Sequence, residues 1–334
     1  MIIIRHCRES RFSAMPYFPD AFQASKKGMT MYDIVIIGAG PAGMTAALYA
    51  LRADKKVLLI EKENFGGQIT YSPAVENYPT LMQISGSELA QKMLDQVMEH
   101  GAEIELAEVT GIVNGEAHKT ILTDMGEFEA KTVIIATGSK HRHLGIPREE
   151  ELTGQGVSYC AVCDGAFFAG APVAVVGGGN TALQEAVMLS KYCTHVTIIQ
   201  NLSTMTGEAK LVAALEKKPN VTMIFDTIVT ELIGNDKLEG LKLKNGKTGK
   251  GSTLSVEGVF IAIGQQPENA CFSNITRLNE YGYIAADEQC LTDTAGIFVA
   301  GDCRTKQVRQ VTTATGDGAV AALAACRYID SMNV

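Results

Sequence analysis

Residues 32–63 read "YDIVIIGAGPAGMTAALYALRADKKVLLIEKE" and carry the clearest structural pattern of the chain. The stretch opens with a β-branched run, Ile34 to Ile37, which is typical of a buried parallel strand. Gly38 to Gly43 then spell G-x-G-x-x-G, an alanine-rich segment predicts a helix, and Val57 to Ile60 predict a second strand. This is the context in which the motif binds the pyrophosphate of a dinucleotide, so the sequence predicts a nucleotide-binding βαβ unit.

The residues of this motif have separate tasks. Gly38 makes the tight turn, Gly40 lets a pyrophosphate approach the backbone, and Gly43 lets the helix pack on the strand. The helix N-terminus then faces the phosphate charge. Glu61 ends the second strand 23 residues after Gly38, where a carboxylate would accept hydrogen bonds from a ribose. A strand-to-helix turn without a ligand is the alternative interpretation.

A second unit of the same kind occupies residues 171–200, "APVAVVGGGNTALQEAVMLSKYCTHVTIIQ". Gly177 to Ala182 match G-x-G-x-x-A between a predicted strand and a predicted helix. The strand that follows ends in Gln200, so neither an acid for a ribose 2′-hydroxyl nor an arginine for a 2′-phosphate is present there. The first cation downstream is Lys210. The second unit keeps the turn and lacks the residues that select a nucleotide.

The segments between and after these units complete an α/β pattern. Ser87 is predicted to cap a helix that Gly101 ends. Strands are predicted around Glu103–Val113, His118–Leu122 and Phe128–Ile135.

Two similar segments mark where the chain leaves the first lobe and returns to it. "VIIATG" ends a strand with Thr137 and Gly138, and "VFIAIG", residues 259–264, repeats this pattern before the last segment. The last segment has a strand in "GIFVAGD" and a long helix from about Thr313. Asp302 at the end of this strand could bind a ribitol hydroxyl, and a plain helix cap is the alternative.

The bulk properties exclude several classes of protein. The chain has 334 residues, enough for about two domains, with 46% hydrophobic and 20% charged residues, as in globular proteins. A net charge of −8 argues against nucleic-acid binding. No apolar run approaches the roughly 18–20 residues that span a membrane. We therefore expect a cytoplasmic protein with no membrane and no nucleic-acid partner.

The cysteines point to one redox-active pair. Of eight cysteines only Cys160 and Cys163 are closely spaced, so no second C-x-x-C completes a zinc site and no metal is expected. The stretch "VSYCAVCDGAFF" looks like the opening of a helical turn in which Cys163 is the cysteine at positive helix potential. Asp164 could move a proton during thiol–disulfide exchange. A turn-forming residue is the alternative for Asp164, and an inert half-zinc site or a pair of reduced core thiols is the alternative for the cysteines.

From Met31 to Met332 the chain resembles a low-molecular-weight, FAD-containing thioredoxin reductase. The resemblance rests on the order and spacing of eight motifs: "GAGPAG", "EKENFGGQIT", "VENYPT", "ATGSK", "CAVCDG", "GGGNTA", "VFIAIG" and "GDCRTKQVRQVTTATGDGAVAA". It implies an α/β fold of two Rossmann-like (three-layer ββα) dinucleotide-binding domains, the FAD domain being discontinuous. We expect the FAD domain over residues 31–142 and 269–334 and a central NAD(P)-binding-like domain with the disulfide over residues 143–268. Residues 1–30, with a net charge of +3, are expected to be a misassigned start or a disordered tail, and a transit peptide is the alternative.

The resemblance also implies site residues and partners. The expected FAD-binding residues are Gly38, Gly40, Pro41, Ala42, Gly43, Glu61, Gly66, Gly67, Gln68, Asn77, Thr137, Gly138, Asp302, Arg309, Gln310 and Val311. Cys160 would attack the disulfide of thioredoxin or a thioredoxin-like protein, Cys163 would receive electrons from the flavin, and Asp164 would donate the proton. A homodimer and a rotation of the central domain between flavin and thioredoxin are expected too.

The second unit departs from the family pattern. NADPH-dependent members carry His-Arg-Arg, three more residues and then Arg, where this chain has Gln200, Asn201, Leu202 and Thr206. Losing charge-assisted hydrogen bonds worth roughly 1.5–3 kcal/mol each would weaken NADPH binding strongly, so NADPH is doubtful. The pattern resembles the ferredoxin-dependent flavin thioredoxin reductases, and we favour reduced ferredoxin as the electron donor. Arg304, Lys306 and Arg309 are candidates for docking it, although Arg304 and Lys306 also fit ordinary solvated charge.

Two rival functions remain open. One is an NADPH- or NADH-dependent thioredoxin reductase with an atypical nucleotide site, which the intact Gly177, Gly179 and Ala182 support. The other is a flavin-binding regulatory protein without catalysis, against which the retained Cys160, Cys163 and Asp164 argue.

Overall fold

The computed structural model describes residues 31–72 and 74–332, and their strands form a seven-stranded sheet, a five-stranded parallel sheet and two smaller antiparallel sheets. The predicted extension of residues 1–30 lies outside the described residues. The strands in chain order are β1 (Met31–Ile37), β2 (Val57–Glu61), β3 (Glu103–Leu106), β4 (Val109–Asn114), β5 (Lys119–Thr123), β6 (Gly126–Ile135), β7 (Lys140–His141), β8 (Val157–Ser158), β9 (Pro172–Val176), β10 (His195–Ile199), β11 (Val221–Ile224), β12 (Thr227–Ile233), β13 (Gly240–Asn245), β14 (Gly251–Ser255), β15 (Gly258–Ile261), β16 (Gln265–Gln266) and β17 (Ile297–Val299). The α-helices are α1 (Pro41–Arg52), α2 (Gly86–Glu99), α3 (Ala161–Asp164), α4 (Asn180–Leu189), α5 (Ala209–Glu216) and α6 (Val311–Met332).

Strand β1 lies in the middle of the seven-stranded sheet. It pairs in parallel with β2 and β6 in the order β3-β2-β1-β6-β5-β4, and β17 also pairs with β6. Ile34 and Ile36 are fully buried against the alanine-rich faces of α1 and α6. Val35 and Ile37 point to the other face of the sheet and pack in a second core. A strand buried on both faces must be apolar throughout, which is why the β-branched run predicted it correctly.

The five-stranded sheet repeats this arrangement around the second glycine motif. Its strands are all parallel, in the order β11-β10-β9-β15-β8. Val173 and Val175 of β9 pack on α4, and Val176 packs in the core that the antiparallel sheet β12-β13-β14 covers. The predicted α/β fold with two Rossmann-like sheets is confirmed.

The two segments that cross between the sheets pair with each other. Strand β7 follows β6, strand β16 follows β15, and His141 pairs with Gln265 in antiparallel register. The crossing point therefore lies where the similar segments "VIIATG" and "VFIAIG" predicted it. The expected limits of the two domains, residues 142–143 and 268–269, stay a prediction close to this point.

Two local predictions are wrong. The cap of α2 is Ser85, whose Oγ accepts a hydrogen bond from Glu88 N at 3.1 Å, whereas Ser87 lies inside the helix and donates to Thr70 O. The strand predicted over Glu103–Val113 is two strands, β3 and β4, because the chain leaves the parallel edge at Ala107 and enters an antiparallel meander. No helix in the described part of the chain is long and apolar enough to cross a membrane.

Candidate active site

The first glycine turn has the geometry that its sequence predicted. Gly38 has a φ of +105°, and a Cβ there would collide with the carbonyl of Ala136 on the neighbouring strand. A Cβ at Gly43 would overlap the carbonyl O of Gly38, so this glycine allows α1 to approach β1. By contrast, the nearest atom to a Cβ at Gly40 would be Gly66 O at 4.0 Å. The space beside Gly40 at the N-terminus of α1 is open to a ligand.

Glu61 is fixed beside this turn at the end of β2. Its carboxylate accepts hydrogen bonds from Ala39 N at 2.8 Å and from Lys62 N and Glu63 N, both at 2.9 Å. Together with Gly38 and other residues at the ends of β1, β2 and β6, Glu61 lines a cavity of about 350 Å³. The cavity lies at the carboxyl ends of the parallel strands, where nucleotides bind in open α/β sheets.

The loop after β2 packs onto the same turn. Gly66 N donates a hydrogen bond to Ala39 O at 2.8 Å, and Gly66 and Gly67 both have positive φ angles, of +102° and +56°. Gln68 lies exposed in the short 3₁₀ turn that follows. Side chains larger than hydrogen would strain this loop, which explains the double glycine.

A second group of predicted residues meets at the ends of β17 and α6. Asn77 Nδ2 donates to Gln310 Oε1 at 3.2 Å, and Arg309 Nε donates to Asp302 O at 3.3 Å. The Arg309 guanidinium lies 4.2 Å from the centre of the Tyr283 ring.

Asp302 is the acid of this group and is partly buried. Its Oδ1 is buried and has no hydrogen-bond partner in the part of the chain that the structure describes, and burial raises the pKa of its carboxyl to about 6. A buried carboxylate oxygen without a partner is costly, and a ligand hydroxyl would satisfy it. The unpartnered oxygen, the open space at Gly40 and the nearby cavity all fit a bound dinucleotide such as FAD.

Thr137 and Gly138 lie where the chain leaves β6, and sequence reasoning missed their main partner. Thr137 Oγ1 donates to Asn269 Oδ1 at 3.0 Å, and Gly138 has a φ of +71°. Asn269 is fully buried and donates through Nδ2 to the carbonyls of Gly282 and Cys303, both at 2.9 Å. It ties the two halves of the first lobe together, and no motif around it predicts this role.

The cysteine pair forms a disulfide, Cys160–Cys163, on the short helix α3. Cys160 is the N-cap residue of α3, and its Sγ accepts a hydrogen bond from Cys163 N at 3.2 Å. The expectation that Cys163 has the position at positive helix potential is therefore wrong. The helix begins at Ala161, before the "CDG" segment, and so the cysteine at its N-terminus is Cys160.

Asp164 ends α3 beside the disulfide. Its Oδ2 accepts a hydrogen bond from Ser158 Oγ at 2.6 Å, and its Oδ1 is buried without a partner. Burial raises the pKa of the Asp164 carboxyl, and the hydrogen bond from Ser158 opposes this. Ser158 Oγ also accepts from Cys160 N at 3.1 Å. A carboxyl group with a raised pKa next to a disulfide is suited to proton transfer.

Glu185 is a second acid at the disulfide, and sequence reasoning missed it. Its Oε1 accepts a hydrogen bond from Ala161 N at 3.3 Å, and its Oε2 is buried without a partner. Burial, with a smaller contribution from the charge of Asp164, raises the pKa of Glu185 to about 7. Its position on α4 gave a usable signal, because it lies on the same helical stripe as Ala182, Ala186 and Leu189.

The second glycine turn is covered by the loop after β10. Thr206 N and Gly207 N donate to Gly178 O at 2.8 and 2.9 Å. The Gln200 side chain is buried over the same turn, where a Cβ at Gly178 would collide with its amide. Gln200 Nε2 donates to Thr204 O at 3.1 Å, and its Oε1 accepts from Asn201 N at 3.1 Å. Both ends of the amide are engaged within the chain.

Arg304 and Lys306 are not surface charges. Their side chains are only 3% and 8% exposed, and both bind the Asp317 carboxylate, from Arg304 Nε and Nη2 at 2.8 and 2.9 Å and from Lys306 Nζ at 2.8 Å. Asp317 Oδ2 also accepts from Gly301 N at 3.0 Å, so the cluster holds the loop that carries Asp302. The expectations of a docking patch and of solvated charge at these two residues are both wrong. Sequence reasoning missed Asp317, the acid with which both cations form buried ion pairs.

Known proteins match nearly all of the described chain. The Pyridine nucleotide-disulphide oxidoreductase family model matches residues 32–318. A thioredoxin reductase of Listeria monocytogenes is 43% identical over 303 residues, which are 90% of this chain and 95% of that protein.

Two solved structures of thioredoxin reductases are similar in sequence but not equally similar in structure. The enzyme from Streptococcus pyogenes is 42% identical, with a TM-score of 0.87 over 90% of this chain and 99% of that one. The enzyme from Lactococcus lactis, in its FR conformation, is 41% identical, with a TM-score of 0.63 over the same shares. These proteins give no support to the expected ferredoxin-dependent branch. The glycine turns, the disulfide and these matches lead to one conclusion: the chain belongs to the pyridine nucleotide-disulphide oxidoreductase family and, within it, to the low-molecular-weight thioredoxin reductases.

Proposed function

We propose that this protein uses bound FAD and the Cys160–Cys163 disulfide to reduce thioredoxin or a thioredoxin-like protein. The observation that carries the proposal is the disulfide itself, placed on α3 beside Asp164, whose Oδ1 is buried without a hydrogen-bond partner among the described residues. FAD would accept two electrons from a donor and pass them to the disulfide. Gly38, Gly40, Asp302 and the other predicted residues around them would hold it.

The two cysteines have different tasks in this proposal. The hydrogen bond from Cys163 N favours the thiolate of Cys160, and a stabilised thiolate is the nucleophile that attacks a partner disulfide. Cys163 would receive electrons from the flavin and resolve the mixed disulfide. Asp164 would supply a proton to a leaving thiolate.

Two observations support docking of a protein partner at a mobile domain. Val162 and Phe167, on either side of Cys163 in the chain, are 57% and 47% exposed although they are apolar. The two solved thioredoxin reductases differ in TM-score at nearly equal identity, which favours a different arrangement of the same domains. A domain that turns would present the disulfide first to the flavin and then to thioredoxin.

For the electron donor we propose a pyridine nucleotide bound at the second glycine turn. Membership in the pyridine nucleotide-disulphide oxidoreductase family supports this donor, as do the positive φ of Gly177 (+133°) and the start of α4 at Asn180. Without cations after β10, the site would discriminate poorly between NADPH and NADH.

A specific observation favours reduced ferredoxin as the second candidate. Gln200 covers the second turn with both ends of its amide engaged, and residues 200–206 contain no cation for a 2′-phosphate. Of the three proposed docking cations, only Arg309 is not held by Asp317, and it stacks on Tyr283. Another basic surface would therefore have to bind an acidic ferredoxin.

Anaerobic flavin spectroscopy separates the donors. The FAD-loaded protein is mixed with NADPH, NADH or reduced ferredoxin, and the loss of flavin absorbance is followed with and without oxidised thioredoxin. Bleaching by either nucleotide that is coupled to thioredoxin reduction supports the first donor. Bleaching of the flavin by reduced ferredoxin, and by neither nucleotide, supports ferredoxin as the donor. If the flavin becomes reduced but its electrons never reach the disulfide, the protein is better described as a non-catalytic flavoprotein.

We also propose that the protein is a homodimer, as the resemblance to the family implies. Exposed apolar side chains on α1 and α6, including Tyr49 and Leu323, support an interface on these helices. Light scattering of the purified protein measures its mass directly. A monomer at micromolar concentration would contradict the proposed homodimer.

A further inference from the structure

The aromatic side chain of Tyr159 lies between the disulfide and the first crossing segment, residues 139–149. Tyr159 follows β8 and immediately precedes Cys160 in the chain. Its ring stacks on the His141 ring, with the two ring centres 5.3 Å apart and an angle of 29° between the planes. The His143 ring lies against it at 5.1 Å in a tilted arrangement. The residue before the first cysteine is therefore in contact with both histidines of the crossing segment.

The hydroxyl group of Tyr159 is bound by the same segment. It donates a hydrogen bond to Glu149 Oε1 at 2.9 Å and lies 2.9 Å from His143 Nδ1. Glu149 is only 3% exposed and also accepts from Leu144 N at 2.9 Å and from Gly145 N at 2.8 Å. A buried side chain that accepts three hydrogen bonds holds its donors in place. Glu149 thus fixes the crossing segment around the tyrosine.

His141 also reaches the second crossing segment, residues 264–266. It pairs with Gln265 of β16 in antiparallel register, and Gln265 Nε2 lies 3.4 Å from His141 Nδ1. Stacked aromatic rings keep a preferred geometry, so their contact fixes orientation as well as distance. One continuous set of contacts therefore runs from the paired strands β7 and β16 through the rings of His141 and Tyr159 to Cys160.

The proposed chemistry does not use this cluster, because it takes place between the flavin, the two sulfur atoms and Asp164. The cluster lies, however, where the described chain crosses between the seven-stranded and the five-stranded sheet. A misplacement of reacting groups by about 1 Å can slow their reaction about a hundredfold. A contact that fixes the disulfide to a crossing segment therefore bears on the transfer of electrons from the flavin.

We propose that Tyr159 is a positioning residue: through the His141 ring it holds the turn of Cys160 and Cys163 in one orientation to the crossing segment, as electron transfer from the flavin requires. The inference rests on the proposed thioredoxin reductase function and adds a residue to it. Reduced FAD gives up two electrons and two protons, the disulfide becomes a dithiol, and the dithiol reduces the thioredoxin disulfide in the same way. Tyr159 itself exchanges neither electrons nor protons and affects only the rate of the first transfer.

Two reactions of the same cysteine pair separate this role from a structural one. In the first, the flavin of the FAD-loaded protein is reduced anaerobically by illumination with EDTA, which needs neither a nucleotide nor ferredoxin. The return of flavin absorbance is then followed at increasing concentrations of oxidised thioredoxin. In the second, protein reduced with a phosphine and freed of reductant reacts with 5,5′-dithiobis(2-nitrobenzoate), which reports on the cysteine pair alone. A C160S/C163S variant corrects for the other thiols.

We expect Tyr159→Leu to lower the maximal rate of flavin return about tenfold, because a misplaced disulfide accepts electrons more slowly. The thioredoxin concentration that gives half of this rate should not change, and the rate with the aromatic disulfide should stay within about twofold of wild type. Tyr159→Phe keeps a ring on His141 and should stay within about threefold of wild type in both reactions. His141→Ala removes the other ring and should act like Tyr159→Leu. The double variant should be no slower than either, because the two rings act as one unit.

Hydrogen exchange of the FAD-free protein gives a measure that does not depend on the flavin. In Tyr159→Leu, residues 140–142 and 160–163 should exchange about twofold to tenfold faster, the range that the loss of one aromatic pair produces. Tyr328→Leu is the matched control, since it removes a partly buried aromatic pair with Phe298 in the first lobe. It should leave the exchange at these residues and both reaction rates unchanged.

Each other outcome contradicts the proposal in its own way. If Tyr159→Leu slows both reactions equally, Tyr159 is a structural residue, and if only the half-maximal thioredoxin concentration rises, it is a docking residue. Effects that multiply in the double variant would mean that the two rings act separately. A wild-type rate in His141→Ala overturns the proposal even where Tyr159→Leu does not fold. If thioredoxin does not restore the flavin absorbance of the wild type, the proposed function itself fails, and the role of Tyr159 with it.

Discussion

At the scale of single residues, three acids dominate the two sites, and each has one buried carboxylate oxygen without a hydrogen-bond partner among the described residues. Asp302 lies at the predicted dinucleotide site, and Asp164 and Glu185 lie at the disulfide. Burial raises the pKa of all three carboxyl groups. A carboxyl group with a raised pKa makes the folded protein less stable at neutral pH. Groups of this kind are found most often at sites that bind ligands or transfer protons.

The first prediction concerns Asp302 and the stability of the FAD-free protein. The pKa of its carboxyl is about 6 in the folded state and near 3.9 when unfolded, so its stabilising contribution is greatest below pH 4 and is lost as pH rises through 6. Asp302→Asn should therefore raise the free energy of unfolding at pH 7 by about 2–3 kcal/mol and have little effect at pH 4. The same change should weaken FAD binding at least tenfold.

Urea unfolding of the FAD-free protein at the two pH values measures the first effect, and titration with FAD measures the second. Glu280→Gln, at an exposed site, is the matched control. A variant that is stabilised equally at pH 4 and pH 7 would show that Asp302 is not the group that titrates.

The second prediction separates the two cysteines. Cys163→Ser leaves the Cys160 thiolate, which accepts a hydrogen bond from residue 163 N, and removes the residue that resolves a mixed disulfide. Incubation with a thioredoxin that keeps only its attacked cysteine, carried as a mixed disulfide with 5-thio-2-nitrobenzoate, should give a stable covalent complex with this variant, because the aromatic thiolate leaves and no second thioredoxin cysteine can displace Cys160. Cys160→Ser should give at least tenfold less complex, because its remaining cysteine is not the N-cap residue of α3. Intact mass spectrometry measures the fraction of each variant in the covalent complex. More complex with Cys160→Ser than with Cys163→Ser would mean that Cys163, and not Cys160, attacks thioredoxin.

At the scale of elements, the segment after β10 is the place where this chain departs from the family pattern. The glycine turn before α4 is intact, but Gln200 and the segment to Gly207 pack on it, and residues 200–207 contain no lysine or arginine. The phosphate-binding turn and the choice between NADPH and NADH therefore depend on different features. Backbone geometry forms the turn, and the side chains after the strand select the nucleotide.

The third prediction concerns a variant in which arginines are introduced into this segment to select NADPH. In Leu202→Arg/Thr206→Arg, two guanidinium groups replace exposed side chains of this segment. If a nucleotide binds at the turn, preference for NADPH over NADH in flavin reduction should rise at least tenfold, since charge-assisted bonds contribute roughly 1.5–3 kcal/mol each. Thr230→Arg/Ser252→Arg, at exposed sites on β12 and β14, controls for added charge. A variant that neither nucleotide reduces would exclude binding at the turn and favour ferredoxin.

At the scale of the whole molecule, the sequence predicts what depends on local pattern and misses what depends on packing between distant segments. Buried strands and glycine turns were predictable because apolar runs and left-handed backbone angles have local signatures, as at Ile34–Ile37 and Gly38. The burial of Arg304 and Lys306 depends on Asp317, which is 11 residues or more away and turns two apparent surface charges into a core cluster. Asn269 was missed for the same reason, since its partner Thr137 lies 132 residues away.

Contacts of this long-range kind also lie at the crossing point between the two sheets. Beside the paired linkers β7 and β16, Lys62 Nζ lies 2.7 Å from Glu268 Oε2, and Lys140 Nζ lies 2.8 Å from Glu63 Oε1 and 3.5 Å from Glu268 Oε2. These ion pairs connect the loop after β2 to both linkers. They are partly exposed, so each contributes about 0.2–1 kcal/mol, which is enough to bias an arrangement without locking it.

The last prediction tests whether this network biases the arrangement. Glu268→Gln removes the acid shared by Lys62 and Lys140, so hydrogen exchange at residues 140–142 and 264–266 should become about twofold to fivefold faster, the change that about 0.5–1 kcal/mol produces. Wild-type protein in 0.5 M NaCl should exchange almost as fast at these residues, because salt screens exposed pairs. Glu231→Gln breaks a somewhat more exposed pair with Lys242 on β12 and β13 and should leave the linkers unchanged. Equal acceleration by both variants, or by neither, would mean that the linker backbone pairing, and not this network, holds the two sheets in place.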